Sequence, residues 1–163
     1  DNIITLYLNK KYIIDVDLED ELDLEEYIKN IFRKLKKYYH MDIKGFYNIK
    51  IYKDLYYGMI ITLEKEEIDY YNYYDNHIDM CFTIKNYNSF LYEIDDLFIL
   101  DKSIKDKIDI YSYHHRFYIK IKNDINNVIL GRLIEKTKII YEEYLENIIK
   151  YGKVIGGKIW KNP

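Results

Sequence analysis

The sequence predicts an α+β fold, in which antiparallel sheets built from hairpins carry about three helices packed on one face. Three observations support this prediction. Segments with the alternation or apolar density of strands come in pairs, with short turns between them. Other, longer segments carry apolar residues at helical spacing instead. Strands and helices do not alternate regularly along the chain, so a parallel, doubly wound sheet is not expected.

The first half of the chain is predicted to form two strands, a helix and two further strands. The strands are assigned from apolar runs or alternation bounded by turn residues: 3–8, 12–16, 46–52 and 59–63. The helix is expected over residues 24–39, with Asp23 as its N-cap and Glu26 as the capping-box partner. Residues 64–76 are polar, acidic and rich in tyrosine, so we interpret them as a surface loop.

The second half is predicted to contain more strands and two closing helices. Strands are expected at 78–84, 90–94, 108–113 and 117–121, the last two as a hairpin. Helices are expected at 125–138 and from Tyr144 to a C′ glycine at Gly152, with a short helix in 95–107. Residues 156–160 are a tail that adds an edge strand or is partly disordered. We therefore expect an N-terminal ββαββ unit (1–66) and a β-rich C-terminal unit (77–163), or one continuous domain.

Composition points to the source genome and excludes several classes of protein. The chain has no Ala and no Gln but 21 Tyr, and Ile, Tyr, Asn and Lys use A/T-rich codons, so a low-GC bacterium is indicated. A net charge of −3 argues against a nucleic-acid partner. The single cysteine excludes an internal disulfide and a cysteine-based zinc cluster. Without a long apolar run or a signal-peptide pattern, we expect a cytoplasmic protein with no membrane contact.

The most prominent surface feature is a tyrosine loop made of Tyr70, Tyr71, Tyr73 and Tyr74. Tyrosine suits protein interfaces because it combines a large apolar area, a polar tip and few rotatable bonds. The alternative is codon bias together with packing of some of these rings beneath the loop. The tip of the predicted hairpin, His114, His115 and Arg116, is the second part of the expected partner-binding surface.

A metal site is the alternative candidate. His77, Asp79 and Cys81 are two residues apart, so a strand places all three side chains on one face. These are competent ligands for transition metals, but three ligands on one strand rarely converge on one ion. A strand face of mixed polarity is the simpler interpretation. No nucleophile, phosphate-loop or dinucleotide motif occurs either, so we expect no catalytic residues, no cofactor and no enzymatic activity.

Three segments in the second half of the chain resemble the MecA-type adaptor family. Residues 110–119 (IYSYHHRFYI) resemble the family's hairpin, in which an aliphatic-Tyr-Ser-aromatic strand turns into an Arg-aromatic-Tyr-aliphatic strand. Residues 149–155 (IKYGKVI) resemble its closing Glu-Tyr-Gly-Lys-aliphatic-Ile segment, and 90–101 match the strand before the hairpin. The family's long acidic linker is absent from this chain, reduced at most to residues 64–76.

The resemblance implies two small α/β domains, one that captures substrate proteins and one that docks on a hexameric AAA+ unfoldase. The sequence therefore predicts a non-enzymatic adaptor or regulator with a protein partner, such as an AAA+ unfoldase and its substrates. Self-association into a homo-oligomer stays open. The alternatives are a small ligand- or metal-binding enzyme domain, and a regulatory protein of a mobile element or phage.

Overall fold

The fold is α+β with antiparallel pairing, as the sequence predicts. The computed structural model describes residues 2–10, 20–67 and 78–155. The chain forms two compact units: Asp1–Ile51 with Gly58–Lys85, and Tyr52–Tyr57 with Asn86–Pro163. In the part of the chain that is described, no helix has the length and apolar character needed to cross a membrane.

The first unit contains a four-stranded sheet and one helix. Its elements in chain order are β1 (Ile3–Asn9), α1 (Glu21–Tyr39), β2 (Gly45–Asp54), β3 (Gly58–Lys65) and β4 (Ile78–Tyr87). The strand order is β1-β3-β2-β4, and β1 runs antiparallel to β3 with Ile3 opposite Glu64. The ends of β2 and β4 belong to the second unit. The strand predicted at 12–16 lies outside the described residues.

One face of this sheet and one side of α1 form the core of the first unit. Leu24, Ile28 and Phe32 recur at helical spacing along α1 and are buried. The sheet contributes every second residue of each strand: Ile4, Leu6 and Leu8; Tyr47, Ile49 and Ile51; Met59, Ile61 and Leu63; Ile78, Met80 and Phe82. The alternation predicted over 46–52 therefore assigns the inward face of β2 correctly.

Helix α1 begins three residues earlier than the sequence indicated. Its N-cap is Asp20, whose carboxylate accepts the backbone N–H groups of Leu22 and Asp23 at 2.9 and 3.4 Å. The prediction of Asp23 as N-cap is thus wrong, because two aspartates three residues apart precede the same apolar stripe. The helix ends at Tyr39, as predicted, and His40 follows it in the left-handed conformation.

The second unit contains a five-stranded sheet. Its elements are β5 (Leu91–Ile94), 3₁₀ turns at Leu97–Ile99 and Lys102–Lys107, β6 (Ile108–Tyr113), β7 (Arg116–Ile121), α2 (Asn127–Glu135), β8 (Lys138–Ile140), α3 (Tyr144–Tyr151) and β9 (Lys153–Val154). The strand order is β8-β5-β7-β6-β9, and its pairings are antiparallel. The sequence missed β8, whose first residue Lys138 falls in the helix predicted over 125–138, and it missed β9.

Helices cover both faces of this second sheet. Tyr118 and Ile119 are neighbours on β7 and therefore point to opposite faces. Tyr144, the first residue of α3, contacts the Tyr118 ring, so α3 lies on the Tyr118 face. Ile94 belongs to the opposite face because it pairs with Phe117, and it lines a cleft with Leu133 of α2. The expected placement of helices on one face describes the first unit but not this sheet.

A buried carboxylate fixes the N-terminal edge of the second unit. Asp54 accepts the backbone N–H groups of Tyr56 and Tyr57 within its own turn, and that of Phe90 from 36 residues further along. Phe90 is fully buried and its ring contacts that of Tyr57. Buried backbone N–H groups need such acceptors, so the 52–57 segment is an integral part of this unit.

Candidate functional site

The β6–β7 hairpin closes through a turn that is unusual for its residue types. Tyr113 pairs with Arg116, so His114 and His115 are the two turn residues. Their φ angles are 46° and 62°, both in the left-handed region. A two-residue turn with positive φ at both positions is type I′, which favours Asn-Gly. A left-handed residue other than glycine costs about 1–2 kcal/mol, although His is tolerated there better than most residues, so two adjacent histidines are a less favourable choice for this turn than Asn-Gly.

Aromatic rings hold the turn against the start of α3. The ring of His114 lies 4.0 Å from that of Tyr113, and Tyr113 lies 5.8 Å from Tyr144, measured between ring centroids. The hydroxyls of Tyr118 and Tyr144 are 3.5 Å apart. The pKa of Tyr118 is raised, mainly by burial and secondly by its hydrogen bond with Tyr144. The base of the hairpin is thus packed, while its two imidazoles stay exposed.

Arg116 is oriented by a largely buried carboxylate, that of Glu93. Its guanidinium donates to the Glu93 carboxylate on β5 at 2.5 Å, with side chains 61% and 12% exposed. This hydrogen bond, together with the negative charge of Glu93, raises the pKa of Arg116. Because most of the guanidinium stays in solvent, its remaining N–H groups are available to a partner. We call Tyr113, His114, His115, Arg116 and Tyr144 the hairpin-tip surface.

This arrangement is suited to recognition. The hairpin-tip surface combines two tyrosine rings, two imidazoles and an oriented guanidinium; tyrosine and arginine are enriched at binding hot spots. The sequence predicted His114, His115 and Arg116 as surface residues from the hairpin alone, and the structure places them at its tip. The sequence missed Glu93 and Tyr144, because their positions depend on strand pairing and on the packing of α3 rather than on any local pattern.

The other predicted site residues are only partly described. The tyrosine loop, Tyr70, Tyr71, Tyr73 and Tyr74, lies outside the described residues, and so does His77. Asp79 and Cys81 alternate with Ile78 and Met80 of the core, so they share the opposite face of β4, where Cys81 is exposed. Among the described residues, no group of three His, Cys, Asp or Glu side chains is arranged to hold a metal ion.

Comparisons with known proteins identify no relative. No protein-family model matches this chain, and neither the curated proteins nor the solved structures contain a significant match. The functional argument therefore depends on the geometry of the chain itself.

Proposed function

We propose that this protein is a non-enzymatic adaptor or regulator that binds another protein through the hairpin-tip surface. The observation that carries the proposal is the His114–His115 turn, where two histidines occupy positions that suit Asn-Gly better. Unfavourable backbone conformations that persist at the surface are concentrated at functional sites. An exposed Arg116 held by Glu93 adds a directed cation to the same surface.

The partner class follows from the resemblance to MecA-type adaptors. The hairpin that carries this resemblance, residues 110–119, is the element that presents the hairpin-tip surface. On this proposal the partner is an AAA+ unfoldase of a low-GC bacterium, and the interaction takes place in the cytoplasm. The tyrosine loop, predicted as part of the same interface, is included in the proposal.

The test is affinity capture with wild-type protein and matched variants, read by mass spectrometry. The first variant is Arg116→Ala, and the second replaces the turn by His114→Asn with His115→Gly, which preserves a type I′ turn. The control is Arg33→Ala, because Arg33 on α1 is equally exposed and also pairs with an acid, Glu26. We expect an unfoldase subunit to be recovered by wild type and by the control, but not by either hairpin variant.

Two results would contradict the proposal. One is capture of the unfoldase that survives both hairpin variants, which would move the contact elsewhere. The other is recovery of no protein from a lysate of a low-GC bacterium, combined with stoichiometric metal in the purified protein that disappears in His77→Ala. That outcome would favour the metal-binding alternative.

A further inference from the structure

A cleft opens on the Ile94 face of the second sheet. It has a volume of about 220 Å³ and lies between β5, the two 3₁₀ turns and α2. Its apolar lining includes Ile94, Leu100, Ile104 and Leu133. Sites for drug-sized molecules usually measure about 300–1,000 Å³, so this cleft suits a single large side chain better than a complete small ligand.

Exposed apolar residues flank two of the cleft residues in sequence. Phe98 is 89% exposed on the first 3₁₀ turn, next to Ile99, which lines the cleft and is 41% exposed. Val128, next to the cleft residue Ile129 at the start of α2, is 61% exposed. Phe98 and Val128 are therefore exposed apolar residues adjacent in sequence to two residues that line the cleft. A small molecule inside the cleft would leave Phe98 and Val128 uncovered.

Two positively charged side chains at the cleft favour an occupant that carries negative charge. Arg132 and Lys136 both line it and are four residues apart, one helical turn of α2 and its C-cap. Like charges at this spacing repel each other on a helix surface. Asp101, the acid at the cleft, uses its carboxylate to accept the N–H of Ser103. That hydrogen bond, and more weakly the charge of Arg132, lowers the pKa of Asp101. Lys136 has no ion-pair partner within the described residues.

We infer that this cleft is a second docking site, which takes one large apolar side chain from a partner protein segment with acidic residues on either side. The apolar residue fills the cleft, and the flanking carboxylates pair with Arg132 and Lys136. The inference deepens the proposed adaptor function and rests on it. An adaptor must hold two proteins at once, and this cleft lies on the sheet face opposite the Glu93–Arg116 pair.

The test is a selection of displayed random peptides on the immobilised full-length protein. Bound peptides are then synthesised and their Kd values measured by fluorescence anisotropy. We expect enriched peptides to share a Leu, Ile, Met or Phe flanked by Asp or Glu. Their affinity should fall at least about tenfold for Arg132→Glu with Lys136→Glu, since reversing both charges replaces attraction by repulsion. Ile99→Ser should weaken the same peptides.

The control variant carries Arg33→Glu with Lys37→Glu. These residues are also an Arg and a Lys four apart on an exposed helix surface, so the change in net charge is identical. Retained peptide binding by this control separates a local effect of the cleft from the effect of total charge. Circular dichroism and urea unfolding show whether each variant is folded. If the charge reversal disturbs α2, Ile99→Ser tests the cleft independently, because Ile99 is partly exposed and lies outside α2.

The results separate this inference from the proposed function. If peptides no longer bind after charge reversal of Arg132 and Lys136 but bind Arg116→Ala normally, the cleft is supported as a docking site. This conclusion does not depend on whether the hairpin-tip surface binds a partner. Peptides that bind the Arg132 and Lys136 reversal normally but are lost on Arg116→Ala would show that they bind the hairpin-tip surface, and would contradict the cleft as a docking site. Enriched peptides without the acidic-apolar pattern, peptides insensitive to every cleft variant, or no enrichment at all would each overturn the inference.

Discussion

At the scale of single residues, the structure distinguishes two roles among the tyrosines. Tyr92 and Tyr118 are completely buried on neighbouring strands of the second sheet. The Tyr118 hydroxyl lies near that of Tyr144, whereas the Tyr92 hydroxyl has no hydrogen-bond partner in the described part of the chain. A buried hydroxyl without a partner destabilises the fold. Tyr92 thus fills core volume that phenylalanine would fill at lower cost, as expected where codon bias favours tyrosine.

We therefore predict opposite effects for two matched substitutions. Tyr92→Phe should raise the free energy of unfolding by about 1 kcal/mol, because it removes an unsatisfied buried group. Tyr118→Phe should lower it by a similar amount, because it removes a hydroxyl that has a partner. Urea denaturation measures both. Equal signs for the two variants would contradict the distinction.

Sequence reasoning at this scale succeeded where the information is local. It placed both histidines at the hairpin turn, next to Arg116, because turn residues are recognised from their immediate neighbours. Glu93 gave no signal of its own: only the pairing of β5 with β7 places Tyr118 opposite it and Arg116 within reach. The sequence also offered no means of separating tyrosines that fill a core from those that form a surface.

At the scale of elements, the His114–His115 turn links stability to the proposed interaction. Replacing it by His114→Asn with His115→Gly should raise the free energy of unfolding by about 1 kcal/mol, because glycine adopts positive φ without steric cost and Asn-Gly is the preferred pair of a type I′ turn. Thermal and urea unfolding provide the measurement. The control is His115→Gly alone, which should give a smaller gain of the same sign. A destabilised double variant would show that the imidazoles contribute packing that offsets the backbone cost.

Elements were predicted best where their pattern was regular. Alternation identified β2 with its inward residues, apolar runs bounded by turns identified β3 and β6, and apolar spacing identified α1 and α3. Short pairings such as β8 were missed because three residues carry no period of their own. Ile139 pairs with Tyr92, so its position is determined by a partner strand that is distant in sequence.

At the scale of the whole molecule, the buried tyrosines should make the protein sensitive to alkali. Burial raises the pKa of Tyr27, Tyr47, Tyr52, Tyr92 and Tyr111 above 10.0, and that of Tyr87 to about 12. The folded state therefore keeps protons that the unfolded state releases. The part of the stability that comes from these raised pKa values is fully present below pH 10. It is lost as the pH rises toward 12 and above.

The free energy of unfolding should accordingly be nearly constant up to about pH 10 and then fall. Each fully buried tyrosine lowers the free energy of unfolding by up to about 1.4 kcal/mol per pH unit in that range. Tyrosines that are less deeply buried lower it by less, because solvent screens their charge. Urea unfolding at stepped pH, with tyrosinate absorbance recorded in parallel, measures this. A stability that stays unchanged while tyrosinate forms would contradict the prediction. Tyr92→Phe should flatten the slope.

The second unit should not fold from residues 86–163 alone. The fragment lacks Asp54, which accepts the Phe90 N–H at 2.7 Å, and Tyr52, whose ring lies 5.1 Å from that of Tyr141. We expect circular dichroism and urea titration to show an unfolded or strongly destabilised fragment. In the full-length chain, Asp54→Ala should cost about 2–4 kcal/mol, because three backbone N–H groups lose their acceptor. A fragment as stable as the full chain would contradict this interpretation.

The chain passes between the two units at 51/52, 57/58 and 85/86. A gene that encodes such an interleaved path cannot exchange one unit for a homologous one by a single crossover, because any breakpoint leaves a foreign 52–57 segment or removes the native one. The two units are therefore expected to be inherited together. Asp54, whose carboxylate accepts the backbone N–H of Phe90 across 36 residues, should therefore be retained as this lineage diverges, whichever residue other than proline occupies position 90.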